Sequence, residues 1–347
     1  MNKRTFKPKG LATAIGSMPQ TDPAEACNAI FRHLTDIPAW PQLPERSFLE
    51  NMYVQYSEGF PGVVLENDRI YIDRSKDLSD EMEELYMAYI ENDLDRYAIS
   101  PDYAPGFYEF LSHPADSVIA LKGQVTGPVS FGLTVTDQDR RPSLYDETMA
   151  DAIARLLRMK AAWMERELRK RCENTIIFLD EPYLASLGSA YVALDNETVI
   201  KLTNEALGGL TGLTGMHCCG NTDWSVLMAT NIDILNFDAY EQGESVGLYP
   251  DALNSFLDRG GVLAWGIIPN KSSDLKGQSV NTIIERLSSL FELLIGKGIA
   301  RDALVEQCML TPACSLAGMS VEEAEEALQL TSAVSKEYRE IHSREGK

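Results

Sequence analysis

The chain has 347 residues, with 31 Lys+Arg against 52 Asp+Glu and a formal net charge of −21. A surface this acidic repels nucleic-acid phosphates and anionic lipid, which argues against both as partners. Hydrophobic residues make up 44% and charged residues 24%, which rules out wholesale disorder, and no apolar run approaches the ~18 residues of a membrane span.

The basic start, MNKRTFKPKG, is followed by LATAIGSMPQ with no long apolar core, so no secretion signal is expected and the expected location is cytoplasmic. From there, short apolar runs alternate with longer helical patterns. Strands are expected at 11–17, 52–57, 118–127, 175–182, 214–219, 232–238, 261–268 and 306–314, each rich in Val, Ile, Leu or aromatics and bounded by Gly, Pro or Asp. The segment 62–74, GVVLENDRIYIDR, reads as a β-hairpin inserted after the second strand. Apolar residues at three-to-four spacing predict helices over 78–97, 147–171 and 280–298, and Ser320-Val-Glu-Glu323 reads as a capping box opening a last helix. Eight strands alternating with helices over roughly 300 residues is the count of a single (β/α)8 TIM barrel, residues 1–347 forming one domain, with a doubly wound open sheet as the alternative. In a barrel the functional residues belong at the C-terminal ends of the strands.

Several strand ends carry chemistry. Six cysteines are too few for a disulfide scaffold in a chain this long, but Cys218 and Cys219 follow directly on His217, one of only four histidines. Side chains alternate along a strand, so His217 and Cys219 point one way and Cys218 the other, a plausible two-ligand arm for zinc. The competing reading is a buried strand cysteine serving as a small apolar residue. Cys314, in Thr311-Pro-Ala-Cys314 past the last strand, is the best candidate for a third ligand. Three ligands with one open position describe a catalytic site, in which an entering thiol is held as a nucleophilic thiolate. Cys27, Cys172 and Cys308 read as packing residues. The doublet Asp180-Glu181 could bind an amine, ligate a metal or act in acid–base work, or could cap the loop and next helix. Asp238 ends the sixth strand similarly, and Gly16-Ser17 and Thr126-Gly127-Pro128 end the first and third, where backbone N–H groups can hold a carboxylate.

Together, Ile15-Gly-Ser17-x-Pro-Gln, Thr126-Gly-Pro-Val-Ser130, Asp180-Glu-Pro182, His217-x-Cys219 and Pro312-x-Cys314 resemble the catalytic half of cobalamin-independent methionine synthase. The blocks occur in the same order and span residues 11 to about 318. The wider superfamily includes zinc-dependent methylcobalamin:coenzyme M methyltransferases and uroporphyrinogen decarboxylase, all single (β/α)8 barrels. The resemblance implies Zn²⁺ on His217, Cys219 and Cys314, with a carboxylate ligand at Asp238 (Glu in the synthases; Glu241 is the substitute). It implies a homocysteine carboxylate held by Ile15, Gly16 and Ser17, and its amino group by Asp180, with Glu181 beside it. Asp180 and Asp238 are the candidate catalytic carboxylates, and Glu58 is the nearest counterpart of a further acidic amino-acid-binding residue.

Three departures from the family stand out. The chain has room for one barrel where the synthases have two. Trp265-Gly-Ile-Ile-Pro-Asn270 lacks the histidine near the folate, and Leu184-Ala-Ser186 replaces an acidic folate-binding stretch. Losing folate parts while keeping zinc and amino-acid parts implies methylcobalamin, delivered by a corrinoid partner protein, as the methyl donor, with methylfolate as the other option. Coenzyme M is an alternative acceptor. A uroporphyrinogen decarboxylase-like enzyme would call for an arginine-rich mouth, which the strand ends lack.

Overall fold

The computed structural model describes residues 6–189 and 192–345; the first five residues of the basic start lie outside them. The strands are β1 (Leu11–Ala12), β2 (Val63–Glu66), β3 (Arg69–Ile72), β4 (Leu121–Thr126), β5 (Thr136–Asp137), β6 (Thr175–Asp180), β7 (Leu213–Cys218), β8 (Ile234–Phe237), β9 (Val262–Ile268) and β10 (Cys308–Pro312). Seven form one curled parallel sheet in the order β1-β10-β9-β8-β7-β6-β4, with helices in the crossovers as parallel pairing requires. Every residue of β4, β6, β7, β8, β9 and β10 is buried, as expected of strands covered on both faces.

The two faces are distinct. Ile177, Leu179, Met216, Cys218, Leu235, Phe237, Leu263 and Trp265 belong to the larger core shared with the helices. Their alternate neighbours Ile176, Phe178, Leu213, Ile234, Val262, Ala264 and Met309 form a second, inner cluster with Leu11 and Ala120. Following the inner face toward the C-terminal strand ends, this apolar layer gives way to Lys122, Gln124, Asp180, His217, Asn236 and Asp238, all buried. Period-two alternation therefore delivers the polar residues to one place.

The strand expected at 52–57 is a helix, Met52–Ser57, capped by Asn51, whose Oδ1 accepts the Tyr53 N–H at 3.0 Å. Six residues of Tyr and Val alternation cannot by periodicity distinguish a strand from a short buried helix, and the cap decides it. The place beside β1 and β4 is taken instead by the segment 38–42, PAWPQ, through isolated parallel bridges Ser17↔Gln42 and Ala39↔Lys122. Its two prolines carry no N–H, so it makes separated bridges rather than a continuous ladder.

The hairpin is present: β2 and β3 pair antiparallel, turning at Asn67 and Asp68, both at positive φ as a two-residue hairpin turn requires. It follows the helix, and β5 extends it to a three-stranded sheet. The pattern at 78–97 splits into a helix, Ser79–Glu91, and a 3-10 turn, Leu94–Tyr97, separated at left-handed Asn92. The others form as Glu147–Arg169 and Val280–Gly296, and the capping box at Ser320 and Glu323 opens Val321–Glu345. No helix among the described residues is long and apolar enough to cross a membrane.

Candidate metal and acceptor site

β7 carries His217 on its inner face and Cys218 in the outer core, so the alternation expected for this segment holds. Cys314 reaches the same spot by a different device. The register of β10 against β9 shifts between Thr311 and Pro312, and the Ala313 N–H then bonds the Ile268 carbonyl at 2.7 Å. Such an irregularity re-aims the following side chains. The result is that ligand atoms of His217, Cys219 and Cys314 lie within 4.8 Å of one another, with His217 Nε2 3.3 Å from Cys314 Sγ.

Asn236 on β8 sets the imidazole. Its Nδ2 donates to the Ala264 carbonyl at 2.8 Å and to Thr311 Oγ1 at 2.9 Å, so its Oδ1 faces His217 Nδ1. Nδ1 must then be the protonated nitrogen, which leaves Nε2 aimed at the thiols. Hydrogen bonds from Cys314 and His217 pull Cys219 down to about 4, against burial. Burial pulls the His217 pKa down, but the Cys219 hydrogen bond and charge carry it up overall, while the Cys219 contact and burial push Cys314 well up. One imidazole and two sulfurs at this spacing fit Zn²⁺, since tetrahedral N and S ligands lie ~3.5 Å apart.

Asp238 and Glu241 do not join this group. Asp238 Oδ1 accepts the Glu241 N–H at 2.8 Å and caps the turn Ala239–Gln242, and the Glu241 carboxylate pairs with Lys271. Asp238, expected as the fourth ligand, thus lies outside the three-residue group, with its Oδ1 engaged by its own loop.

Asp180, the last residue of β6, is buried beside the cluster, and its Oδ1 has no hydrogen-bond partner among the described residues. Burial pushes its pKa up to about 6, opposed by the charges of His217 and Lys122. Glu181 behaves otherwise. Its two oxygens accept the N–H groups of Val129 (2.9 Å) and Ser130 (2.7 Å) at the start of helix Pro128–Thr134. A Cβ at Gly127 would stand 2.1 Å from the Glu181 carboxyl carbon, so that glycine is what lets the carboxylate in. Both oxygens of Glu181, expected beside the substrate ammonium, are thus engaged at the start of this helix. Glu58 is likewise taken, accepting the Ser100 N–H at 2.8 Å.

Ile15, Gly16 and Ser17 run past the mouth of the same face. Gly16 has φ 147°, and its carbonyl accepts the Gln42 N–H at 3.2 Å. Below them lies a polar layer that sequence reasoning missed. Lys122 Nζ donates to the Ile15 carbonyl at 2.7 Å, Gln124 Nε2 to the Trp40 carbonyl at 3.0 Å, and Gln42 Nε2 to Gln55 Oε1 at 2.7 Å and the Tyr56 hydroxyl at 3.2 Å. The signal was there: Lys122 and Gln124 interrupt the apolar run VIALKGQVTG at alternate positions, which in a buried strand puts both on one face. Cys27 and Cys308 are buried packing residues, and Cys172 is half-buried.

No family model matches the sequence, and no curated protein does. Solved structures do. A B12-independent methionine synthase from Shewanella sp. W3-18-1, in complex with selenomethionine, superposes with TM-score 0.58 at 15% identity, covering 96% of this chain and 99% of that one. A putative vitamin-B12-independent methionine synthase from Listeria monocytogenes gives 0.56 at 16% (91% and 86%), and a methyltransferase from Methanosarcina mazei 0.53 at 14% (90% and 86%). At these identities the likeness extends to the fold: this chain has the fold of those methionine synthase and methyltransferase structures.

Proposed function

We infer that the protein is a zinc-dependent methyltransferase that methylates a thiol acceptor, homocysteine, from a methylcorrinoid or methylfolate donor. The observation that carries this reading is the three-ligand group His217, Cys219 and Cys314 beside a buried carboxylate, Asp180, with an unpartnered oxygen. We read the fold as a (β/α)8 barrel with 38–42 as its eighth stave, and the location as cytoplasmic, where reduced thiols persist.

His217, Cys219 and Cys314 would hold a divalent ion, which would supply Lewis acidity and lower the pKa of an acceptor thiol. The chain does the rest by positioning. Asn236 fixes the imidazole. Asp180 accepts the ammonium of the acceptor, and the backbone at Ile15–Ser17 receives its carboxylate, which turns the acceptor sulfur toward the metal group. In-line displacement forms the sulfur–methyl bond as the donor–methyl bond breaks, and holding the partners in that geometry is worth several kcal/mol, up to roughly 7–11. A corrinoid donor leaves without needing a proton, which suits a chain whose segment after β9 offers no histidine.

The deciding experiment is methyl transfer by zinc-loaded protein, pairing homocysteine or coenzyme M with methylcobalamin or methyltetrahydrofolate. Methionine formation is the expected result. Turnover of coenzyme M in preference to homocysteine would remove the role given to Asp180, and no transfer with any pair would remove the reading.

A further inference from the structure

Lys122, the second residue of β4, is a fully buried cation. Its hydrogen bonds go to neutral groups, the Ile15 carbonyl at 2.7 Å and Gln124 Oε1 at 3.2 Å, and its ammonium lies 4.5 Å from the centroid of the Phe178 ring. An ammonium held this way is expensive, and burial pulls its pKa down to about 8, with only the Asp180 charge raising it. A methionine or leucine would pack this position without that cost, so the charge invites a reason.

The reason lies directly above it. The Ile15 carbonyl is gripped by Lys122, and Gly16 rests on the Gln124 amide, where a Cβ would come within 2.2 Å of Nε2. That amide is itself anchored by Lys122 at one end and by the Trp40 carbonyl at the other. The Gly16 carbonyl is tied to Gln42, and Ser17 Oγ lies 3.4 Å from Gln42 Oε1. One cation therefore stands beneath the Ile15–Ser17 backbone and also faces the Asp180 charge.

We propose that Lys122 is a positioning and specificity-determining residue that makes this site select an α-amino-acid carboxylate. It holds the backbone that receives the anion and supplies the positive charge behind it. With Asp180 taking the ammonium, a zwitterionic acceptor lies antiparallel to the Lys122–Asp180 pair, each charge facing its opposite. This rests on the amino-acid-acceptor reading given above.

The test is calorimetric binding to zinc-loaded protein, which needs no methyl donor. The probes are L-methionine and 3-(methylthio)propylamine, the same molecule without its carboxylate. Lys122→Met is expected to weaken methionine by roughly ten-fold or more while leaving the amine probe within about two-fold, a split that general disruption would not produce. Lys122→Gln, which keeps a donor but not the charge, is expected to show the same split, and it carries the comparison alone if Lys122→Met does not fold. Equal weakening of both probes, or methionine binding retained by Lys122→Gln, overturns the proposal. If the wild-type protein binds methionine and the variants do not discriminate, Lys122 alone is misassigned. If the wild-type protein binds neither probe, the amino-acid-acceptor reading fails and takes this proposal with it.

Discussion

His217 is held by an acceptor on a neighbouring strand, and that makes Asn236 a residue to test on its own. Replacing it by Leu removes the acceptor for Nδ1–H and leaves the Thr311 hydroxyl and Ala264 carbonyl without their donor. Zinc affinity is expected to fall about 10–100-fold, read by competition with a chromophoric chelator. Cys314→Ser is expected to lose near-stoichiometric zinc altogether while the far-ultraviolet circular dichroism stays unchanged; full retention of zinc would remove Cys314 from the ligand set. The contrast between these two residues shows what can be read in a sequence. The cysteine and histidine announce themselves by chemistry and by strand alternation. Alternation shows which face Lys122 occupies, but its partners, like those of Asn236, follow only from which strand lies beside which, and parallel register is not written in local sequence.

At the scale of elements, the long helix Glu147–Arg169 carries two buried ionisable residues of opposite standing. Glu165 accepts the N–H groups of Thr211 (2.9 Å) and Gly212 (2.6 Å) and the Thr175 hydroxyl (3.0 Å), tying the helix to the starts of β6 and β7. Glu165→Ala strands those donors and is expected to cost about 3 kcal/mol in urea unfolding. Among the described residues Lys160 has one hydrogen bond, 3.4 Å to the Tyr97 carbonyl, and burial pulls its pKa down to about 8, partly offset by Glu58. A lysine whose folded pKa is depressed binds fewer protons folded than unfolded, so it destabilises at neutral pH, and the penalty fades between about pH 8 and the unfolded value near 10.4. Lys160→Met is therefore expected to stabilise the protein at pH 7, by a margin that shrinks as pH rises through that window; a constant margin would exclude titration as the cause. The helix itself was plain from its apolar spacing. The helix Met52–Ser57 was not, because six residues are too few to separate the two periods. The segment PAWPQ carries no strand pattern because its two prolines break the apolar alternation, yet in the fold they only thin out the pairing.

For the whole molecule, the candidate ligand group joins the end of β7 to a position 97 residues further along the chain, Cys314. An ion that binds only the folded arrangement stabilises it by mass action, about 2.7 kcal/mol at a hundred-fold excess over Kd. The melting temperature is expected to rise with added zinc and fall with chelator, and Cys314→Ser to be indifferent to both. The sheet is knitted unevenly: β4 to β6 is zipped residue by residue, whereas 38–42 touches its neighbours at single bridges. That stretch is the wall's loosest seam, and the same seam floors the backbone at Gly16 and Ser17. Amide hydrogen exchange should therefore be faster at Trp40 and Gln42 than along β6, and slow selectively when an acceptor settles across it, so that the join that breathes is the one the ligand sews shut.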